Sequence, residues 1–488
     1  TKLPVGMDSA FKSIEIAVND SGRVETLLRH GAASYDENGA FAPAKGTKGL
    51  LPMLEQLGSG QAVIDWMHWM AARRAQALHA KGIKTPLSER DVKAGLAKET
   101  ATFRKVAKDW KAFNDANLDF AVQSGLVAPK AAEAMKADET YIPFYRADPD
   151  SAEDVDPSIK GPVYSQARGV NNPKSGIKAI KGGERLKINN LVENMILNSK
   201  VMVAGSMRNM AANKVSDLVE MAGEGKVMNL SEAPDRSGLD QGFITFRREG
   251  KLVKLKPDDP AMVLALAGLR PQQLNSILQF MADVASFFRQ GITLSPAFMI
   301  RNLWRGAVST GVLTGKNLGL VNNTLTGLHQ GMKNSASAQA FKARSGMGDF
   351  RFGGTDIGFG RNDVLIGLGV SHKTLGYRLR QLISAAEHVG TATELADRIA
   401  LQENLIRQGV RPDEASYQAL NIINYGRKGA NPVLQTLLPL VPFLNARIQG
   451  LARLAESSSG ERGLKNAILP IALRGSVLAA ASAALWGW

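Results

Sequence analysis

The chain contains no cysteine among its 488 residues. This absence excludes disulfides, thiolate zinc sites, iron–sulfur clusters and cysteine nucleophiles. Aromatic residues are also scarce, at 6% of the sequence. Aliphatic side chains and 16 methionines therefore carry the apolar content, and this composition favours helices packed on helices.

Motifs that would carry out chemistry are also lacking. The six histidines include no pair spaced four apart, so the helical zinc-protease pattern is missing. Gly315-Lys316 has neither the first glycine of a phosphate loop nor its magnesium-binding Ser or Thr. The acidic run at 147–156 lacks the glycine and glutamate of a calcium loop. Glu456-Ser457 is a pairing also found in soluble lytic transglycosylases, but the rest of that motif set does not follow. We therefore expect no catalytic residue, no metal site, no cofactor and no enzymatic activity.

The net charge is strongly positive, at +15 with a pI near 9.8. Partners of negative charge follow as an expectation. The chain has no run of five or more basic residues, so the charge favours non-specific contact with DNA or with a membrane surface over a sequence-reading site.

The spacing of apolar residues predicts a mainly α fold: an elongated multi-helix assembly with one β-hairpin and long loop or linker segments. One helix is predicted from Ser59 to Gly82, a second from Ser88 to Gly125, and a shorter one starting at Pro129. The hairpin is predicted to turn at Glu249-Gly250.

Shifts in composition divide the chain into five regions. They are an N-terminal helical region (1–145), an acidic-then-basic linker (146–187), a region with a long methionine-rich helix, the hairpin and further helices (188–290), a helical domain (291–460) and an apolar tail (461–488). The methionines indicate core or interface. One of the further helices is predicted to begin at Pro271. Because the chain begins with Thr1, we expect that it was taken from a longer polypeptide.

A strongly amphipathic helix is predicted near residues 377–409. Its apolar stripe consists of Leu379, Leu382, Ala386, Val389, Ala396 and Ile399. Glu394 with Arg398 and Glu403 with Arg407 are favourable i,i+4 pairs along this helix.

The stretch at 424–450 is uncharged between Lys428 and Arg447, but Pro439 and Pro442 interrupt it. Each proline costs ~3 kcal/mol in a helix interior, so a simple membrane span is not expected. The tail that follows ends in Trp486 and Trp488, and tryptophan favours the membrane interface. Two interpretations stay open for the tail, namely membrane contact and burial in an oligomer interface.

Roughly a third of the chain resembles a helical domain of very large phage proteins, the large polyvalent protein-associated domain. "SPAFMIRNLWRG" matches its "P-x-F-x-x-R-N-x-x-R" element, although Gly306 stands where the family often has an acidic residue. "DEASYQA", "YGRKG" and "PFLNARIQG" match three later elements. The matching positions are Arg301, Asn302, Arg305, Asp413, Glu414, Ala415, Ala419, Tyr425, Arg427, Gly429, Pro442, Phe443, Asn445, Ala446, Gln449 and Gly450.

The resemblance implies an internal virion, or DNA-ejection, protein of a short-tailed phage. Such a protein is a structural oligomer, packed inside the capsid and released with the genome, that helps to form a conduit for DNA across the host envelope. The implied partners are further copies in a ring, other internal virion, portal or tail proteins, DNA, and the host inner membrane. The implied location is the virion and then the host periplasm or inner membrane.

Two alternatives remain open. In the first, the chain is the non-catalytic part of a larger phage enzyme, either a peptidoglycan-cleaving enzyme or a virion polymerase. In the second, it is a co-injected host-takeover protein.

Five polar residues lie beside apolar helices, where an unpaired polar group is costly, namely Arg301, Asn302, Arg305, Asn445 and Arg447. We expect each of them to have a partner.

Overall fold

The computed structural model describes residues 12–17, 19, 21–37, 39–143, 164–166, 191–229, 244–258, 272–274, 299–300, 303, 306, 320–347, 375–422 and 448. The chain divides into two compact units. The first is Thr1–Ser276 with Arg351–Leu379, and the second is Ile277–Phe350 with Arg380–Trp488. Helices predominate in the described residues, which confirms the predicted fold class.

The first unit contains seven helices and seven strands with defined bounds among its described residues. They are α1 (Ser21–Arg29), β1 (Ala33–Tyr35), β2 (Phe41–Pro43), α2 (Leu50–Glu55), α3 (Gly60–Ala80), α4 (Glu89–Leu96), α5 (Ala101–Gln123), α6 (Pro129–Lys136), β3 (Tyr164–Gln166), α7 (Leu191–Ala222), β4 (Gly225–Asn229), β5 (Ile244–Arg248), β6 (Lys251–Pro257) and β7 (Gln272–Leu274). The second unit contains α8 (Leu320–Met332), α9 (Ala336–Ser345), most of α10 (Leu375–Arg407) and α11 (Pro412–Leu420).

The few aromatic residues of the first unit are concentrated in its core. Trp66, Trp110 and Phe113 are at most 1% exposed. The indole N–H of Trp66 donates to the carbonyl oxygen of Phe103 at 3.3 Å, and that of Trp110 donates to the carbonyl oxygen of Tyr141 at 2.9 Å. Because each indole has a hydrogen-bond partner, both rings are buried without leaving an unpaired donor.

The single helix predicted from Ser88 to Gly125 is wrong, because two helices occupy this stretch. Ser88 and Asp91 form a capping box that starts α4. The hydroxyl of Thr100 then accepts a hydrogen bond from the backbone N–H of Phe103 at 3.1 Å and starts α5. A second N-cap inside an otherwise helical pattern ends one helix and begins another. The helices that begin at Ser59 and Pro129 are confirmed.

The predicted hairpin is confirmed, and it belongs to a three-stranded antiparallel sheet with the order β4-β6-β5. Glu249 and Gly250 form its turn with φ values of 52° and 78°, which is the backbone that two-residue hairpin turns require. Ile244, Phe246, Val253 and Leu255 are buried on one face of this sheet, and β4 and β5 lie against α7.

Two further strand pairs were not predicted. β1 pairs with β2, and β3 pairs with β7 in an antiparallel register that sets Tyr164 opposite Leu274. The helix predicted from Pro271 is therefore wrong at its first residues. The cause is tertiary pairing with a strand more than a hundred positions earlier, which overrides the local pattern.

The long helix α7 confirms the predicted methionine-rich helix and the interpretation of its methionines as core. Met195, Met202 and Met207 are at most 4% exposed. Met221, at the C-terminal end of the helix, is the exception, at 87% exposed. None of the described helices is long and apolar enough to cross a lipid bilayer.

Asn209 of α7 attaches the hairpin to the helices by binding main-chain atoms of Ser124 and Arg247. Its side-chain N–H groups donate to the carbonyl oxygens of Ser124 and Arg247, each at 2.8 Å. Its side-chain oxygen accepts from the backbone N–H of Arg247 at 2.8 Å. Asn209 has no measurable exposure, so its side-chain amide is shielded from water.

Candidate functional site

Helices α8 and α10 of the second unit approach each other through small residues. A β-carbon built on Gly327 would lie 1.9 Å from the carbonyl oxygen of Ala396. One built on Gly331, a turn later, would lie 3.2 Å from the Cα atom of Ala392. Small residues four apart on both helices therefore allow backbone-to-backbone contact.

A buried carboxylate lies beside this contact. Asp397 of α10 is 3% exposed, and the hydroxyl of Thr324 on α8 donates to its Oδ1 at 2.5 Å. A β-carbon at Gly306 would lie 2.1 Å from its Oδ2. The carboxylate of Asp397 on α10 therefore fills the space beside Gly306.

Burial dominates the electrostatics of this carboxylate. It raises the pKa of Asp397 from 3.8 to about 6, although the Thr324 hydrogen bond and the charge of Arg398 both act to lower it. The group can therefore gain or lose a proton within the pH range of cells. It touches no open surface, so its chemistry is confined to the contact between helices.

Arg398 follows Asp397 and forms the predicted pair with Glu394. The guanidinium Nη1 lies 3.7 Å from the Glu394 carboxylate and donates to the Glu394 carbonyl oxygen at 2.7 Å. Both side chains are less than 10% exposed, so this pair is buried and does not lie on a solvated helix face. Breaking a buried pair leaves an uncompensated charge, which costs more than losing a surface pair.

Gln402, one turn further along α10, connects three helices. Its side-chain oxygen accepts from the hydroxyl of Ser416 on α11 at 2.6 Å. Its amide N–H donates to the carbonyl oxygen of Ser337 on α9 at 3.4 Å. Gln402 and Ser416 are each 1% exposed, so the amide fixes the relative positions of α9, α10 and α11.

The acidic pair of the "DEASYQA" element begins α11. Asp413 and Glu414 occupy its first turn, where negative charge is favoured by the helix dipole. Burial acts to raise the pKa of Asp413, but hydrogen bonds from Arg411 and from the Glu414 backbone outweigh it and hold the pKa below its ordinary value. Ala415 and Ala419, the other two matched positions, have no exposure and form the packed face of α11.

Most residues predicted as important lie outside the described residues. They are Arg301, Asn302, Arg305, Arg427, Gly429, Pro442, Phe443, Asn445, Arg447, Gln449, Gly450, Trp486 and Trp488. The side chains of Leu379, Leu382 and Ala386, in the predicted stripe, also lie outside them. Ala396 and Ile399 of that stripe are fully buried, as expected.

Sequence reasoning missed Thr324, Asp397 and Gln402. A signal was present for Gln402 alone, since polar residues at 391, 394, 398 and 402 recur at helical spacing. Such a polar stripe is normally a solvated face. In α10 it is buried instead.

The described residues contain no group of three or more His, Asp or Glu side chains that could hold a metal ion. The buried polar groups of this site in the second unit are the Asp397 carboxylate, the Arg398–Glu394 ion pair and the Gln402 amide. The chain matches no protein-family model, no curated protein and no solved structure.

Proposed function

We propose that the chain is an internal virion protein of a short-tailed phage, a structural oligomer that leaves the capsid with the genome. In this proposal it helps to form a conduit for DNA across the host envelope. It assembles as a ring with further copies and with other internal virion, portal or tail proteins. It acts without a cofactor or catalytic residue, first in the virion and then in the host periplasm and inner membrane.

The observation that supports this proposal most directly is the contact of Gly306 with Asp397. Gly306 directly follows Arg305, the last arginine of the matched "P-x-F-x-x-R-N-x-x-R" element, and it contacts a residue of α10. Gly306 itself departs from the family pattern. The matched positions of α11 lie among the described residues. Ala415 and Ala419 pack in the core, and Asp413 stabilises the start of α11.

The polar groups of the second unit also favour a structural role. Asp397, Arg398 and Gln402 are each less than 5% exposed, so substrate has no access to them. Catalytic groups usually line a cleft, where they can contact substrate. Buried networks of this kind instead give helices a defined geometry.

The apolar tail provides the proposed contact with the inner membrane. We expect the chain to co-sediment with anionic liposomes, and a variant in which Trp486 and Trp488 are replaced by serine to lose much of this binding. If the full chain stays in the supernatant, the tail belongs to an oligomer interface instead.

Quantitative mass spectrometry of particles tests the proposal as a whole. Full particles of the phage that encodes the chain would be compared with particles triggered to release their DNA. Peptides of this chain should be abundant in the first and missing from the second. Peptides that remain in emptied shells would indicate a fixed virion part. Peptides in neither sample would overturn the proposal.

Assembly can be tested on the purified chain by light scattering. Asn302→Ala and Arg305→Ala should reduce the formation of large assemblies, because each removes a polar group that we expect to be paired. Arg407→Ala is the control, since Arg407 is exposed and donates only to Asn404 of its own helix among the contacts described. Normal assembly of both variants would remove these residues from the proposed interface.

A further inference from the structure

The three-stranded sheet β4-β6-β5 has a second face, opposite the one that packs on α7. Successive side chains alternate between the two faces, so this face carries Lys226, Met228, Thr245, Arg247, Leu252, Lys254 and Lys256. Four of these seven positions are cationic and none is acidic. We call this surface the cationic face.

Three of its cations are open to solvent. Lys226, Arg247 and Lys256 are exposed, whereas Lys254 is buried and makes contacts of its own. Lys226 lies directly opposite Lys256 in the register of the two strands. Like charges in this position repel each other and reduce the stability of the sheet. A bound anion would remove that penalty.

The backbone beneath the cationic face is rigidly attached. Asn209 binds both the N–H and the carbonyl oxygen of Arg247, as described above. The turn at Gly250 donates its N–H to the carbonyl oxygen of Gly125 at 2.9 Å. The exposed cations are therefore presented from a fixed surface, which lowers the entropy lost when a ligand binds.

We propose that the cationic face binds the phosphate backbone of double-stranded DNA without reading its sequence. Same-face residues on one strand are spaced by ~7 Å and neighbouring strands by ~5 Å. Duplex DNA carries one negative charge per ~1.7 Å of its axis, so several phosphates lie within reach of these three cations. The face thus forms a short electrostatic contact with no groups arranged to read base edges.

The chemistry of the face favours a nucleic-acid backbone over a membrane surface or a protein partner. Membrane-binding surfaces combine cations with a broad apolar area, and here the exposed large apolar residue is Leu252 alone, at 39%. Lysine is depleted at the centres of protein–protein interfaces. The choice of DNA rests on the proposed function, in which the genome passes this protein.

The binding test uses the full chain and a fluorescently labelled duplex of mixed sequence, followed by anisotropy over a salt series. In one variant, Lys226, Arg247 and Lys256 are all replaced by glutamine. Each phosphate contact contributes about 0.9 to the slope of log affinity against log salt. With three contacts removed, the variant should therefore lose about 2.7 from this slope. At 50 mM salt, where phosphate contacts are strong, it should bind the duplex about tenfold more weakly or worse.

A matched variant controls for overall charge. Lys93, Lys105 and Lys108 are exposed on α4 and α5, and replacing them by glutamine removes the same charge elsewhere in the same unit. This control should keep the wild-type slope. Lys226→Arg with Lys256→Arg, which retains the charge, should also keep it. Circular dichroism of every variant verifies folding.

Three results would overturn the proposal: an unchanged slope in the glutamine variant, an equal loss in the control, or a loss of binding to phosphatidylserine vesicles with DNA binding intact. The outcome is separable from that of the proposed function. DNA binding that depends on this face, together with absence of the chain from particles, would retain the cationic face and reject the virion role. DNA binding that does not depend on this face, together with release of the chain from particles with the genome, would reject only the proposal about the cationic face.

Discussion

The backbone of Gly327 lies against the carbonyl oxygen of Ala396 so closely that a β-carbon at 327 would be 1.9 Å from that oxygen. Neither atom is at the end of a flexible side chain, so the helices must separate to accept any larger residue. Gly327→Ala should therefore lower the free energy of unfolding by about 1–3 kcal/mol, the usual cost of overpacking. Urea titration followed by circular dichroism measures this loss.

Gly331→Ala is the natural control for that variant. It lies on the same helix, but its β-carbon would be 3.2 Å from the nearest atom of Ala392, so a shift of a few tenths of an ångström accommodates it. We expect a smaller loss, offset in part by the higher helix propensity of alanine. Equal losses from the two variants would mean that the close contact at Gly327 does not limit the packing of α8 on α10.

The stability of the second unit should depend on pH through Asp397. Burial raises its pKa to about 6 in the folded chain, against an ordinary value of 3.8. Between these values the folded chain holds a proton that the unfolded chain has released. The contribution of Asp397 to the free energy of unfolding therefore falls as pH rises from about 4 to about 6. Asp397→Asn removes this dependence and should be the more stable form at pH 7.5, by at most about 3 kcal/mol.

Asp413→Asn provides a control of opposite sign. The pKa of Asp413 is held below its ordinary value, so its contribution to stability is present at neutral pH and is lost as pH falls through the folded pKa. Asp413→Asn should therefore change the unfolding midpoint by nearly the same amount at pH 4.5 and 7.5, because Asp413 is ionised in the folded and unfolded chains at both values. The effect of Asp397→Asn should differ between the two pH values. A constant difference between Asp397→Asn and the wild type at both pH values would contradict the assignment to Asp397.

An acidic residue introduced at position 306 should repel the carboxylate of Asp397 and lower the stability of the second unit. Gly306→Asp sets two carboxylates in one buried space and should destabilise the second unit more than Gly306→Ala does. Adding Asp397→Ala to Gly306→Asp should recover part of the loss. A coupling energy of about 1 kcal/mol or more in the double-mutant cycle would establish direct contact. Additive effects would indicate that the two positions do not interact.

Asn209→Ala should be among the more damaging substitutions in the first unit. It removes three hydrogen bonds and leaves the backbone N–H of Arg247 without this partner. At about 1 kcal/mol for each bond, the loss should be roughly 3 kcal/mol. Arg247→Ala should cost about 1 kcal/mol or less, because it keeps the Asn209 bonds to its backbone and loses only the exposed side-chain bond to the carbonyl oxygen of Gly250. Thermal unfolding of both variants tests this contrast, and similar losses in the two would refute it.

Features with a local cause were predictable from the sequence. Ser59 as an N-cap, Pro129 at the first turn of a helix and the turn at Glu249-Gly250 each depend on a few neighbouring residues. The break at Thr100 also has a local signal, but a strong helical pattern on both sides conceals it.

Features that depend on distant contacts were not predictable. β7 forms because β3 pairs with it, and the local pattern around Gln272 reads as a helix. The polar stripe of α10 has the spacing of a solvated face, and only the positions of α8, α9 and α11 reveal that it is buried. The burial of Asp397 was not predictable for the same reason, because it results from contacts with Thr324 and Gly306, which are distant in the sequence.

The attachment of the hairpin through Asn209 also has an evolutionary consequence. The hydrogen bonds from Asn209 to residue 247 reach its main-chain N–H and carbonyl oxygen, which every residue except proline provides. Position 247 can therefore exchange arginine for lysine, glutamine or serine and keep both of these bonds, with the loss only of the exposed bond from the Arg247 guanidinium to the carbonyl oxygen of Gly250. The charge of the outer surface of the sheet can thus change under selection, because a substitution at position 247 lowers the stability of the fold only slightly.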